Sequence, residues 1–91
     1  MNWTDQGIKA VRESPKRLDR ARKTLGEMGG TFREFYLTMG DHDMIAVCEA
    51  PSDTVMASFT LSLAAGGSVR TKTLKTFPET VYRDIVGSLA G

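Results

Sequence analysis

Ninety-one residues suffice for one small domain, expected to span residues 1–91, and not for two. Apolar residues make up 41% and charged residues 25%, too apolar for disorder, and the net charge of +1 gives no global basic field, so no nucleic-acid partner is expected. A domain of this size buries a small share of its surface, which makes self-association the expected supplement to its core.

Thr4 caps a short helical turn carrying Ile8 and Val11. Ser14-Pro15 restarts the helix, with Ser14 as the cap and Pro15 in the first helical position, where its missing N–H matters least. Leu18, Ala21, Leu25 and Met28 then follow at helical spacing, and Gly29-Gly30 supplies the left-handed end. Thr31 to Met39 reads as a strand with Arg33, Phe35, Leu37 and Met39 on one face and Phe32, Glu34, Tyr36 and Thr38 on the other. Gly40-Asp41-His42 is turn material.

Asp43 to Ala50 is the next strand, apolar on both faces from Met44 to Cys48. Such a strand is normally covered on both sides, here by this chain's helices and by a second subunit. Ser52 caps a helix whose buried stripe is Val55, Met56, Phe59 and Leu63, closed by Gly66-Gly67. Ser68 to Lys75 reads as the last strand, and Thr76-Phe77-Pro78-Glu79 as a capping box for a helix that buries Val81, Tyr82, Ile85 and Leu89.

The order is helix, strand, strand, helix, strand, helix, an α+β plan that matches a ferredoxin-like fold without its first strand. That strand lies inside the sheet, between the third and the fourth, so its loss leaves a gap of roughly 9–10 Å with unpaired backbone on both sides. Three arrangements resolve the gap: a start upstream of Met1, a strand from a partner chain, or direct parallel pairing of the last two strands. An upstream start is the expectation, because Trp3-Thr4 stands so close to the first residue.

The segments Trp3-Thr4-Asp5-Gln6-Gly7, Ser14-Pro15-Lys16-Arg17, Phe35 to Pro51 and Val69-Arg70-Thr71 with Leu74 resemble the GYD-domain family of small bacterial and archaeal proteins. The resemblance covers almost the whole chain. It implies a ferredoxin-like fold of the kind that pairs sheets into dimeric α+β barrels, and it implies no particular reaction. Family members usually carry a strand before the Trp-Thr-x-x-Gly segment. The family's Gly-x-Tyr-Asp motif reads Gly40-Asp41-His42-Asp43 here, with histidine where tyrosine is usual.

His42 and Asp43 are the one adjacent pair suited to proton transfer near neutral pH, against the plainer reading of a hairpin turn. Glu49 and Arg70, at strand ends, bracket a polar ligand, pair with each other, or are solvated separately. Arg70, Lys72 and Lys75 attract an anion or protect a sheet edge. Trp3 and Tyr36 line a pocket or fill the core. The basic positions from Lys9 to Lys23, interrupted by Glu13 and Asp19, read as the solvated face of an amphipathic helix. The glycine pairs follow helices and precede strands, the reverse of a phosphate-binding loop. One histidine and one cysteine, Cys48, without a CxxC pair, give neither a metal site nor an internal disulfide, and no cofactor is expected.

No basic-then-apolar leader stands at Met1 and no apolar run is long enough to span a membrane, so a cytoplasmic setting is expected. The expected protein is a homodimer or higher homo-oligomer, a non-catalytic small-molecule-binding or accessory protein. Its ligand-binding residues are Trp3, Tyr36, His42, Asp43, Glu49 and Arg70. Two alternatives stay open: a cofactor-free enzyme with His42 as base, Asp43 as its orienter and Arg70 as anion clamp, and a structural or interaction subunit docking through its basic helix.

Overall fold

The computed structural model describes residues 1–90. Its elements in chain order are β1 (Asn2–Trp3), α1 (Asp5–Lys9), a 3-10 turn (Val11–Glu13), α2 (Ser14–Glu27), β2 (Thr31–Leu37), β3 (Met44–Glu49), α3 (Asp53–Ala65), β4 (Val69–Arg70) and α4 (Glu79–Gly87). Thr4 caps α1, its hydroxyl accepting from the Gly7 N–H at 3.1 Å. Ser14 does not act as a cap. The 3-10 turn delivers the chain already in helical conformation, and Ser14 itself is right-handed helical. Gly29, with φ of 85°, provides the left-handed end of α2.

β2 and β3 form an antiparallel hairpin with Leu37 opposite Met44 and Thr31 opposite Glu49. A register shift between Phe32 and Glu34 leaves Arg33 without a partner residue. Strict alternation fails there. The extra residue lets Phe32 and Phe35 lie half-buried on one face while Glu34 and Tyr36 are exposed on the other, opposite Val47 and Ile45. Along β3, Met44, Ala46 and Cys48 face the helices, and Ile45, Val47 and Glu49 face outward.

The core is small. Leu25 and Ala21 of α2 meet Phe59 of α3, with Phe32, Cys48, Met56 and Leu63 packed around them. Each fully buried large side chain here contributes about 1.5–3 kcal/mol.

Asn2 and Trp3 pair antiparallel with Arg70 and Val69. On its other side Met1 exchanges both backbone bonds with Met44: its ammonium donates to the Met44 carbonyl at 2.9 Å, and the Met44 N–H donates to the Met1 carbonyl at 3.0 Å. The spatial order is therefore β4, β1, β3, β2, as in a ferredoxin-like sheet, with β1 present as a stub. β3 and β4 do not pair directly, because the stub holds them one strand apart.

Two expectations fail towards the C-terminus. The strand expected over Ser68 to Lys75 pairs only at Val69–Arg70, opposite Trp3 and Asn2. The helix expected to bury Val81, Tyr82, Ile85 and Leu89 buries none of them; every described residue from Lys72 onwards is exposed. Nor does the capping box form. α4 starts at Glu79 behind an extended Pro78, two residues too late for Thr76 to cap it.

Candidate functional site: the slot beside β3

β3 and residues 71–74 with Thr76 line a groove of about 380 Å³. Its closed end is Met1, its floor is Met56, Phe59 and Leu63 of α3, and His42 and Lys72 lie among its lining residues. A second hollow of about 330 Å³ runs under α2 and shares Met1, Phe32, Met44 and Leu63 with the first. Both are predominantly apolar.

Asp43 is fully engaged with the stub. Its N–H lies 2.8 Å from the Asn2 side-chain oxygen and 3.2 Å from the Met1 carbonyl, while its carboxylate accepts from the Trp3 N–H at 3.1 Å. His42 is exposed on the turn, and the Thr38 hydroxyl donates to its carbonyl. Among the described residues no hydrogen bond joins the His42 imidazole to Asp43.

Glu49 pairs with Arg33, Nε to Oε1 at 2.6 Å and a guanidinium nitrogen to Oε2 at 2.9 Å. The hydrogen bond from Arg33 is the main reason the Glu49 carboxyl titrates below its usual range, and Glu49 in turn raises Arg33. Arg70 stands apart, in register with Asn2. The Tyr36 hydroxyl donates to the Glu34 carboxylate at 2.5 Å, and that bond holds the phenol above its ordinary pKa. Of the six residues singled out in the sequence, the structure joins Trp3 and Asp43, sets His42 on the groove wall, and leaves Tyr36, Glu49 and Arg70 elsewhere. Arg33 as the partner of Glu49 went unforeseen; the near-equal distance of the two from the hairpin turn was the available signal.

Cys48 is a half-buried free thiol on the groove wall. Burial pushes its pKa up, and the nearby Arg22 partly opposes this. The Arg22 guanidinium lies 4.8 Å from the Phe32 ring centroid, a cation–π contact. Lys75 pairs with Asp53 at 3.0 Å, tying residues 71–76 to the start of α3. Arg17, one of the basic positions of the N-terminal helical region, donates to the Ala10 carbonyl at 3.0 Å and holds the helices in place.

The strand order defines a ferredoxin-like α+β protein. The GYD-domain family model matches residues 1–86, and the chain belongs to that family. Among characterised relatives, a Thermus thermophilus protein named "Glutamine synthetase and cystathionine beta-lyase binding protein" is 32% identical over 76 residues, which is 82% of this chain and 80% of the relative. No solved structure matches the chain significantly. Among the described residues no helix is long and apolar enough to cross a membrane.

Proposed function

We propose that this protein is an accessory subunit that binds other proteins, acting as a homo-oligomer in the cytoplasm. The observation that carries the reading is its apolar surface. Tyr36, Ile45 and Val47 form a continuous exposed patch on the outer face of the hairpin, and Val81, Tyr82 and Ile85 on α4, with Leu89 just beyond it, are exposed. Exposed apolar surface on this scale, on a domain with four buried apolar side chains, fits protein contact. The hairpin patch is assigned to self-association and α4 to a partner. The name carried by the Thermus thermophilus relative supports an enzyme as that partner.

The test is sedimentation of the purified protein with glutamine synthetase and with cystathionine beta-lyase from its own source. Co-sedimentation of either enzyme at micromolar concentration is the expected result. Absence of a complex with both removes these partners. A small molecule in the groove is the second reading, favoured by His42 and Lys72, which add two polar groups to its apolar walls. A native mass spectrum showing bound organic mass selects it.

A further inference from the structure

The hollow under α2 pairs apolar walls with a charge of one sign. Its walls come from α2, β2 and the β1–β4 pair, chiefly Leu18, Ala21, Phe35, Trp3 and Val69. The charged side chains that reach it are Arg17 and Arg20, and among the described residues no carboxylate lines it. α2 packs onto the core at Leu25, which is fully buried, and stands off it at Leu18, which is half-buried. The space left between has a volume of about 330 Å³, at the small end of the range of ligand pockets.

The two arginines are held differently. The Arg17 guanidinium donates to the Ala10 carbonyl at 3.0 Å and to the Gly7 carbonyl at 3.5 Å, which fixes it in place. Arg20 is exposed and has no carboxylate within ion-pairing distance among the described residues. The lysines of the same helix differ: Lys16 has Glu13 beside it and Lys23 has Glu27. Arg17 and Arg20 stand three residues apart, on one side of α2, where like charges repel.

We infer that this hollow binds a small organic acid, its carboxylate on Arg20 beside Arg17 and its aliphatic or single-ring body under α2. An anion at that position relieves the repulsion between the arginines and gives the Arg20 fork the planar acceptor it matches. The walls set the rest of the ligand. Ser14, Ser68 and the Trp3 indole add few polar groups to them, so a sugar or a nucleotide would bury hydroxyls and amides without partners, whereas a hydrocarbon body would not. The site stands apart from the surfaces assigned to protein contact: Tyr36, Ile45, Val47 and α4 contribute nothing to it.

The test uses the full chain with hexanoate as probe, and with hexanol and hexylammonium as bodies of the same length that lack the negative charge. Two readouts run together, the emission of Trp3, the single tryptophan, and residue-resolved amide chemical shifts. The expected result is a saturable response to hexanoate below about 10 mM, with shifts centred on Leu18, Ala21, Phe35 and Val69. Hexanol and hexylammonium should bind at least about ten-fold more weakly. Arg20→Gln should weaken hexanoate about three- to ten-fold and leave hexanol unchanged. Arg12→Gln, which removes the same charge outside the hollow, should leave both unchanged.

Equal binding of hexanol and hexanoate overturns the inference, as does no response up to that concentration. A loss as large in Arg12→Gln as in Arg20→Gln reduces the effect to net charge and overturns it too. Shifts centred on Ala46, Cys48 and Thr73 do the same, because they put the acid in the groove beside β3. None of these outcomes touches the sedimentation test with the two enzymes, so the hollow and the protein-binding reading stand or fall separately.

Discussion

Asp43 joins the two halves of the sheet. One residue supplies a donor to Asn2 and Met1 and an acceptor to Trp3, all partly buried. Replacing Asp43 with alanine leaves the Trp3 N–H without its acceptor, a loss of about 1–3 kcal/mol. Urea denaturation of Asp43→Ala should show that loss, and Asp43→Asn, which keeps an acceptor oxygen, should lose less. Tyr36 offers a pH-resolved counterpart. Its phenol donates to Glu34 and its folded pKa lies above the unfolded one. The stabilisation is therefore complete below the ordinary phenol pKa and disappears as pH rises through the folded value. Ultraviolet titration should place Tyr36 above the ordinary phenol range, and Glu34→Gln should remove most of that rise. Glu49 has the opposite sign: its contribution exists above the unfolded carboxyl pKa and fades as pH falls through the lowered one. Both groups are solvent-exposed, so these are titration signatures more than sources of stability.

At the scale of elements, two glycines separate contact from propensity. A Cβ on Gly7 would lie 1.9 Å from the Ser68 carbonyl oxygen, where α1 crosses the chain entering β4. Gly7→Ala must push that backbone away and weaken the Thr4–Ser68 bond of 3.0 Å, at a loss of at least about 2 kcal/mol. A Cβ on Gly26, inside α2, meets nothing within 4 Å, so Gly26→Ala should gain about 0.5–1 kcal/mol through helix propensity alone. Calorimetric midpoints should move in opposite directions, and a fall for both would contradict the packing at Gly26.

Elements with a local signal were legible in the sequence: the apolar stripe ending in Leu25, the left-handed Gly29, the hairpin around Gly40, and the Ser52 cap that accepts from the Val55 N–H at 3.2 Å. Three features had no local signal. The bulge at Arg33 depends on which residue of β3 stands opposite. The shortness of β4 depends on a strand at the far end of the chain. The exposure of α4 depends on what it packs against, which its amphipathic pattern does not specify. The site fared similarly. Asp43 was singled out for its chemistry, yet its partners, Asn2 and Trp3, lie some forty residues away in sequence.

At the scale of the molecule, the surface is too large for the mass. The chain exposes 6999 Å² at 10.0 kDa, against about 5,200 Å² for a compact monomer of that mass. The radius of gyration, 15.3 Å, exceeds the value of about 12 Å for a compact domain of this length. The excess area, roughly 1,800 Å², is about twice what one partner contributes to a standard interface. The hairpin face is the element assigned to self-association. Ile45→Asp places a charge on that outer face and should yield a folded monomer by sedimentation. Ala46→Asp points the charge at the helices and should unfold the chain instead. A folded oligomer from Ile45→Asp would move the interface elsewhere.

The stub at Met1–Trp3 also bears on the order of folding. The hairpin, α2 and α3 are assembled from neighbours in sequence, whereas pairing β1 with β4 closes a loop from Trp3 to Val69, most of the chain. Loop closure on that scale is entropically late, so β1 docks after the rate-limiting barrier and leaves before it on the way back. Substitutions at Asp43 will therefore show up in the rate of unfolding and hardly at all in the rate of folding, and the joint between the half-sheets governs how long the native state persists.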